Sequence, residues 1–113
     1  EGGFYSDELM RRIAKTGSIK DFPEIPKAIR DVFVTSHDVS PEYHVRMQAA
    51  FQKHVDNAVS KTVNLPENTE VDDITRVFSL AHDLKCKGIT VYRYRSRSDQ
   101  VISQGCDICR IDG

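Results

Sequence analysis

Hydrophobic residues recur at helical spacing in several stretches of this chain and predict most of its elements. In the first stretch Ser6 is suited to cap a helix, acidic residues follow it, and Gly17 is suited to end it. Helices are also predicted at residues 26–33 and 41–55. Each begins at a proline, which tolerates the first helical position because its missing N–H is not needed there. The chain is therefore expected to begin with helices joined by loops.

The predicted helix at residues 41–55 has a mixed face. Val45, Gln48, Phe51 and Val55 recur at helical spacing, so apolar and polar side chains share one side. We expect this side to pack against a core that lies near a polar site.

Two short segments rich in β-branched residues flank a further amphipathic helix. Residues 59–63 and 89–92 both favour an extended chain. Between them Thr69 is the predicted N-cap, with Asp72 three residues later, of a helix that ends near Gly88. A strand, a helix and a strand joined by short links predict a βαβ unit with parallel strands and a right-handed crossover. The predicted fold class is α/β.

Composition excludes several classes of protein. The chain has 113 residues, 39% of them hydrophobic and 29% charged, which is typical of one soluble domain or a part of one. A formal net charge of −1 gives no general attraction to nucleic acid, and no apolar run is long enough to span a membrane. The three cysteines are an odd number and fit a reducing compartment, so the cytoplasm is expected. The start at Glu1, without methionine, suggests processing or a longer parent chain.

The first candidate site is the run Ser60, Lys61 and Thr62 within the first predicted extended segment. Two hydroxyls, a cation and successive main-chain N–H groups are suited to phosphate oxygens. Spacing alone favours a simpler interpretation, an alternating strand whose polar side chains face solvent. The glycine-rich loop of a Walker motif is absent upstream.

The second candidate site is the pair Cys106 and Cys109. Two thiols at this spacing can form a disulfide and exchange it with another dithiol. They could also supply half of a zinc site, although the sequence has no second CxxC. Cys86 is expected to be a small buried thiol. The four histidines lack the spacing of a helical metal site, so no metal site is predicted.

Residues 34–66 resemble the class II ribonucleotide reductases, the adenosylcobalamin (vitamin B12)-dependent enzymes that make deoxyribonucleotides from ribonucleotides. The run KCKGITVYR at residues 85–93 resembles the strand that follows in that family. The resemblance extends over residues 4–97 and is most specific in residues 48–66. It implies the C-terminal part of a ten-stranded α/β barrel at residues 1–94, followed by a flexible tail at 95–113 that carries the CxxC.

The resemblance also implies roles for individual residues. The segment matched by Ala58, Val59, Ser60, Lys61 and Thr62 cradles the phosphates of the substrate in that family. Cys106 and Cys109 resemble, in type more than in sequence, the mobile cysteine pair that carries reducing equivalents to the active site.

The partners implied by the resemblance are a ribonucleotide, the remainder of the reductase polypeptide, a thioredoxin-like reductant and, in a homodimer, a second copy, with no nucleic acid or membrane. Adenosylcobalamin would be bound by the full enzyme, and no ligand for it is identified in this chain. The radical cysteine of the family lies upstream of the matched region, so this fragment is not expected to be active alone. The alternative is a non-enzymatic module that binds nucleotide phosphates or is linked through zinc.

Overall fold

A computed structural model describes residues 3–96 of the chain. Residues 3–38 belong to one unit and residues 39–96 to a second. Cys106, Cys109 and the predicted tail beyond residue 96 lie outside the described residues. The elements are α1 (Asp7–Thr16), α2 (Lys27–Arg30), α3 (Pro41–Gln52), β1 (Thr62–Leu65), α4 (Val71–Asp83) and β2 (Thr90–Arg93). No helix among the described residues is long and apolar enough to cross a membrane.

Helix α1 begins and ends where its local sequence predicts. The Ser6 hydroxyl accepts a hydrogen bond from the Leu9 N–H at 3.1 Å, which satisfies an N–H that has no partner within the helix. Gly17 adopts a left-handed φ of 72° and donates its N–H to the Ile13 carbonyl at 2.8 Å. Both predicted caps are confirmed.

The core of the first unit consists of Leu9, Phe22 and Ile25. Helix α2 is shorter than the helix predicted at residues 26–33. After Arg30 the chain tightens, because the Val32 N–H donates to the Ile29 carbonyl three residues back. Val32 is 71% exposed, so it does not contribute to the core of this unit.

Helix α3 begins as predicted but buries a different face. The Ser40 hydroxyl accepts from the Tyr43 N–H, and Pro41 occupies the first turn. Phe51 and Val55, predicted to be on the packed side, are 63% and 46% exposed, and the helix ends at Gln52. The buried residues are His44, Val45, Gln48, Ala49 and Gln52. Polar side chains replace the expected aromatic one because they hydrogen-bond to the chain that follows the helix.

The βαβ unit in the second unit is confirmed. Strands β1 and β2 are parallel, with Thr62 opposite Thr90 and Leu65 opposite Arg93, and α4 forms the crossover. Strand β1 starts at Thr62, later than the predicted residue 59. The core of this unit joins one side of the sheet to α3 and α4. Its buried members are Val45, Val63, Leu65, Val77 and Ala81.

The N-cap of α4 lies one residue later than predicted. Glu70 occupies the cap, and its N–H donates to the Asp73 carboxylate at 3.1 Å. Thr69 instead donates its hydroxyl to the Pro66 carbonyl at 2.7 Å. Thr69 therefore closes the preceding turn, and the predicted pairing of Thr69 with Asp72 is wrong by one position.

Candidate functional site

The candidate phosphate segment alternates between two sides. Ala58, Ser60 and Thr62 are exposed, whereas Val59 and Lys61 are half-buried. This alternation is the period of an extended chain, so the two hydroxyl-bearing residues share one side and Lys61 takes the other. The predicted cluster of Ser60, Lys61 and Thr62 is therefore divided, because the lysine side chain lies on the other side of the segment from the two hydroxyl groups.

The side of the sheet that carries Thr62 is polar. Thr62 and Asn64 lie opposite Thr90 and Tyr92, and residues in register project to the same face. Asn64 Oδ1 and the Tyr92 hydroxyl are buried neighbours on this face, and neither has a hydrogen-bond partner within residues 3–96. The opposite face of the sheet packs against the apolar core. The sheet therefore has one packed face and one face whose buried polar atoms lack hydrogen-bond partners within residues 3–96. The sequence analysis assigned no role to Asn64 or Tyr92, although their alternation with valine and leucine could have indicated it.

The main chain of Thr62 lies at the open edge of β1. The Tyr94 N–H donates to the Leu65 carbonyl at 2.9 Å, which continues the ladder between the strands. In a parallel ladder alternate residues turn both main-chain groups to the same neighbour, so Val63 and Leu65 face β2 and Thr62 faces away from it. The Thr62 carbonyl accepts a hydrogen bond from the Lys61 amino group, and its N–H lies at the same edge.

Lys61 is tied to protein groups on the helix side. Its Nζ lies 2.8 Å from His44 Nδ1 and 2.9 Å from the Thr62 carbonyl oxygen. His44 is only 6% exposed. Burial lowers the pKa of Lys61 below the ordinary value of a lysine. An ammonium group has three N–H donors, so these two contacts leave one for another acceptor.

Two glutamines on α3 hold the main chain ahead of this segment. Gln52 accepts from the Val59 N–H at 3.1 Å and donates to the carbonyls of Asn57 and Val55 at 2.9 and 3.2 Å. Gln48 donates to the Val59 carbonyl at 3.1 Å. Because the Val59 N–H is used within the protein, an anion at this segment would meet the N–H groups of later residues.

Asp38 has local partners in the first unit. Its carboxylate accepts hydrogen bonds from the Ser18 hydroxyl and from the main chain and hydroxyl of Thr35, each at 2.8 Å. Burial raises the pKa of Asp38, but the bonds from Thr35 and Ser18 outweigh it and hold the pKa below its usual value. These contacts explain Asp38 as a residue that stabilises its loop.

Neither a metal centre nor a reactive thiol is found in the described part of the chain. No group of three or more His, Cys, Asp or Glu side chains there could hold a metal ion. Cys86 is half-buried, and burial raises the pKa of its thiol, which disfavours the nucleophilic thiolate. The prediction of a small buried thiol is met in part, since Cys86 is half-buried.

Together these features define an α/β protein in which buried polar side chains of α3 hold the segment that leads into a parallel strand pair. Residues 1–92 match the family model described as the ribonucleotide reductase barrel domain. The chain belongs to this family. The resemblance inferred from residues 34–66 and 85–93 is confirmed.

The curated relatives share much of this sequence but are far longer. The chain is 50% identical over 101 residues to a vitamin B12-dependent ribonucleoside-diphosphate reductase of Mycobacterium tuberculosis, a match that covers 89% of the chain and 15% of the relative. It is 46% identical over 105 residues to the protein of the same name from Thermoplasma acidophilum, covering 93% and 14%. A vitamin B12-dependent ribonucleotide reductase of Streptomyces coelicolor is 33% identical over 100 residues, covering 86% and 10%. The chain thus spans a small part of each relative.

Proposed function

We propose that this chain is part of a cytoplasmic, vitamin B12-dependent ribonucleotide reductase and that residues 58–62 contact the phosphates of its ribonucleotide substrate. The observation that carries the second statement is the arrangement of this segment. Buried side chains of α3 fix the main chain up to Val59, while Ser60 and Thr62 remain exposed on one side. A rigid main chain followed by exposed donors is suited to an anion that must be held in one position.

Each residue of the segment would contribute a different contact. Ser60 and Thr62 would donate their hydroxyls, and the N–H of Thr62 lies at the open edge of β1. Lys61 would add positive charge and its remaining N–H. Ala58 carries no side chain that hinders close approach, and Val59 anchors the segment to α3. Binding energy from the phosphates, which do not react, would position the ribose for chemistry elsewhere in the enzyme.

The chemical step is assigned to the remainder of the enzyme. By the family resemblance, adenosylcobalamin would supply the radical when bound to the full-length protein, and the relatives are named as vitamin B12-dependent. No residue of this chain is assigned a contact with it. Residues 3–96 would therefore bind and orient substrate.

The remainder of the reductase would also cover exposed apolar surface of this chain and, by the family resemblance, complete a ten-stranded barrel. Tyr43, Met47 and Phe51 recur every four residues on α3 and are 61%, 47% and 63% exposed. An exposed apolar stripe of this kind is typical of a packing surface.

The proposed role of Cys106 and Cys109, which lie outside the described residues, is a thiol shuttle. Their two thiols would reduce an active-site disulfide by exchange, becoming a disulfide themselves, and a thioredoxin-like dithiol would restore them. Zinc binding is the competing role. Metal analysis of the reduced full-length protein separates them: zinc lost on replacing both cysteines by serine contradicts the shuttle, whereas a zinc-free protein whose turnover with thioredoxin needs both thiols supports it.

The phosphate assignment is tested by replacing Ser60 and Thr62 together with alanine in the full-length reductase. We expect KM for the ribonucleotide to rise about tenfold while kcat changes little, because contacts to non-reacting phosphates act on ground state and transition state alike. Ser79→Ala is the control, since Ser79 is an exposed serine on α4. An unchanged KM in the double variant would contradict the assignment. Nucleotide binding by a full-length protein that never reduces the nucleotide would favour the non-enzymatic module.

A further inference from the structure

Three consecutive large apolar residues of the first unit are exposed. Val32, Phe33 and Val34, here called the apolar run, are 71%, 66% and 51% exposed. The buried core residues of the same unit are at most 5% exposed. A contiguous apolar run of this kind is unfavourable in water, and where it occurs it usually marks a surface that another part of the protein covers.

The main chain holds the apolar run in one conformation. The N–H groups of Val32 and Phe33 both donate to the Ile29 carbonyl, at 3.1 and 3.0 Å. The Ile29 side chain packs against the core of the unit. The turn that carries the run is therefore anchored to the core, and a surface formed in advance loses little conformational freedom on binding.

A guanidinium group with unused donors lies beside the apolar run. Val34 lines a groove of about 580 Å³ together with Arg30 and Lys20. Arg30 donates from Nε to the Ile25 carbonyl at 3.0 Å and from Nη1 to the Lys20 carbonyl at 2.8 Å. A guanidinium has five N–H donors, so three of them have no acceptor within residues 3–96. Two main-chain contacts thus fix this cation while most of its donors stay available.

The acidic residues of the groove do not use these donors. Asp31 pairs with Lys27, and the Asp38 carboxylate accepts from the Thr35 main chain at 2.8 Å. Asp21 is exposed and has no hydrogen bond or ion pair in the described part of the chain. The guanidinium is therefore the group of this groove that is suited to an additional carboxylate.

We infer that the apolar run and Arg30 form a docking surface for a segment of the reductase polypeptide that lies outside residues 1–113. The segment is apolar and carries an aspartate or glutamate whose carboxylate accepts from Arg30. Aromatic residues and arginine are enriched at the centres of protein interfaces. The chain spans only 15% of a relative with which it is 50% identical, so most of the polypeptide is available as this partner. The inference rests on the proposal that the chain is part of a longer reductase and is independent of the phosphate contact.

The first test measures the accessibility of Phe33 in the wild-type full-length reductase, so that no substitution can disturb folding. Hydroxyl radicals oxidise accessible side chains, and mass spectrometry of the peptides reports the extent of oxidation at Phe33. We expect oxidation in the native enzyme to be at least about tenfold slower than in urea. A native rate within about twofold of the rate in urea overturns the inference. Protection that is lost when the enzyme is diluted also overturns it, because this would assign the surface to a second copy.

The second test identifies the carboxylate that contacts residue 30. In Arg30→Lys, a carbodiimide can join the new amine to a carboxylate in contact with it, forming an amide while the carbodiimide takes up the lost water and becomes a urea. We expect a cross-link from position 30 to an aspartate or glutamate outside residues 1–113. The ion pair of Lys27 with Asp31 provides a positive control for the reagent.

Arg11→Lys, at an exposed residue of α1, is the matched control and should not cross-link to the same carboxylate. If Lys27 and Asp31 are joined but position 30 gives no cross-link, or one only to an aspartate of its own groove, the inference is overturned.

Failure of the inference and failure of the proposed function have different signatures. An active full-length reductase in which Phe33 reacts as fast as in urea contradicts only the docking surface. A full-length protein without reductase activity contradicts the proposed function, whether or not Phe33 is protected.

Discussion

Replacing Lys61 with methionine would remove the ammonium group beside the candidate phosphate segment while keeping most of the apolar stem. In the structure this group donates to the Thr62 carbonyl at 2.9 Å and lies 2.8 Å from His44 Nδ1. It sits on the helix side of the segment, whereas Ser60 and Thr62 are exposed on the other. Its contribution to phosphate binding should therefore be smaller than that of a lysine aimed fully at the anion.

The expected magnitude follows from these contacts. A hydrogen bond to a charged group contributes about 1.5–3 kcal/mol when it is fully formed. Two of the three N–H donors of Lys61 are already used, and solvent screens a half-buried charge in part. We therefore expect a loss of about 1 kcal/mol, which corresponds to a rise of about fivefold in KM for the ribonucleotide.

Steady-state kinetics of the full-length reductase provide the assay, with Lys53→Met, at the exposed end of α3, as the control. Lys61→Arg should retain most of the affinity, because arginine stays protonated. A fall in kcat at unchanged KM would refute the reasoning, since it would place Lys61 in the chemical step. A rise in KM as large in Lys53→Met would show that net charge alone is responsible.

The lowered pKa of Lys61 provides a second readout. Between the folded pKa and the ordinary value of 10.5 the unfolded chain binds more protons than the folded one, so this group makes stability rise with pH in that window. Below this pH range the lysine is charged in both the folded and the unfolded state, so burial of the charge lowers the free energy of unfolding by a constant amount. Lys61→Met should abolish this contribution, which is measured as the difference between the two alkaline stability profiles. Identical profiles would contradict the burial of the amino group.

Two further predictions concern stability and are measured by urea unfolding of the chain. Leu65→Ala should destabilise it by about 2–5 kcal/mol because Leu65 is 1% exposed in the core, whereas Phe51→Ala, at a residue 63% exposed, should cost less than about 0.5 kcal/mol. Equal losses would contradict the observed face of α3. Asp38→Ala should cost about 1 kcal/mol at neutral pH through lost hydrogen bonds. The folded pKa of Asp38 is lowered, so its contribution is present above the ordinary value of 3.8 and is lost as the pH falls through the folded pKa. A difference from the wild type that persists in strong acid would be inconsistent with this account.

Elements whose ends depend on neighbouring residues could be predicted well. Ser6 and Gly17 cap α1 as expected, because each cap is a contact within one turn of the helix. The order of strand, helix and strand also required parallel pairing, since a helical crossover returns the chain in the same direction. The predicted N-cap of α4 was one residue too early, because the Thr69 hydroxyl hydrogen-bonds to the Pro66 carbonyl instead of capping the helix.

The buried face of α3 could not be predicted in the same way. Helical spacing allowed both Phe51 and Gln52 to face inward, and hydrophobicity favoured Phe51. Gln52 is buried instead because its carboxamide meets the main chain of residues 55–59. Such hydrogen bonds depend on how the chain returns after the helix, which no local pattern encodes.

The sequence by itself determined the family and the βαβ order and predicted a candidate site at residues 58–62, because these depend on residue identity and short-range spacing. Only the tertiary structure decided which groups of that site are available to a ligand. In the folded chain Lys61 lies against His44, the Val59 N–H donates to Gln52, and the Val59 carbonyl accepts from Gln48. The physical reason is that a main-chain donor or a charged side chain is free only if no other part of the folded chain satisfies it, and those partners are distant in the sequence or set by the path of the chain.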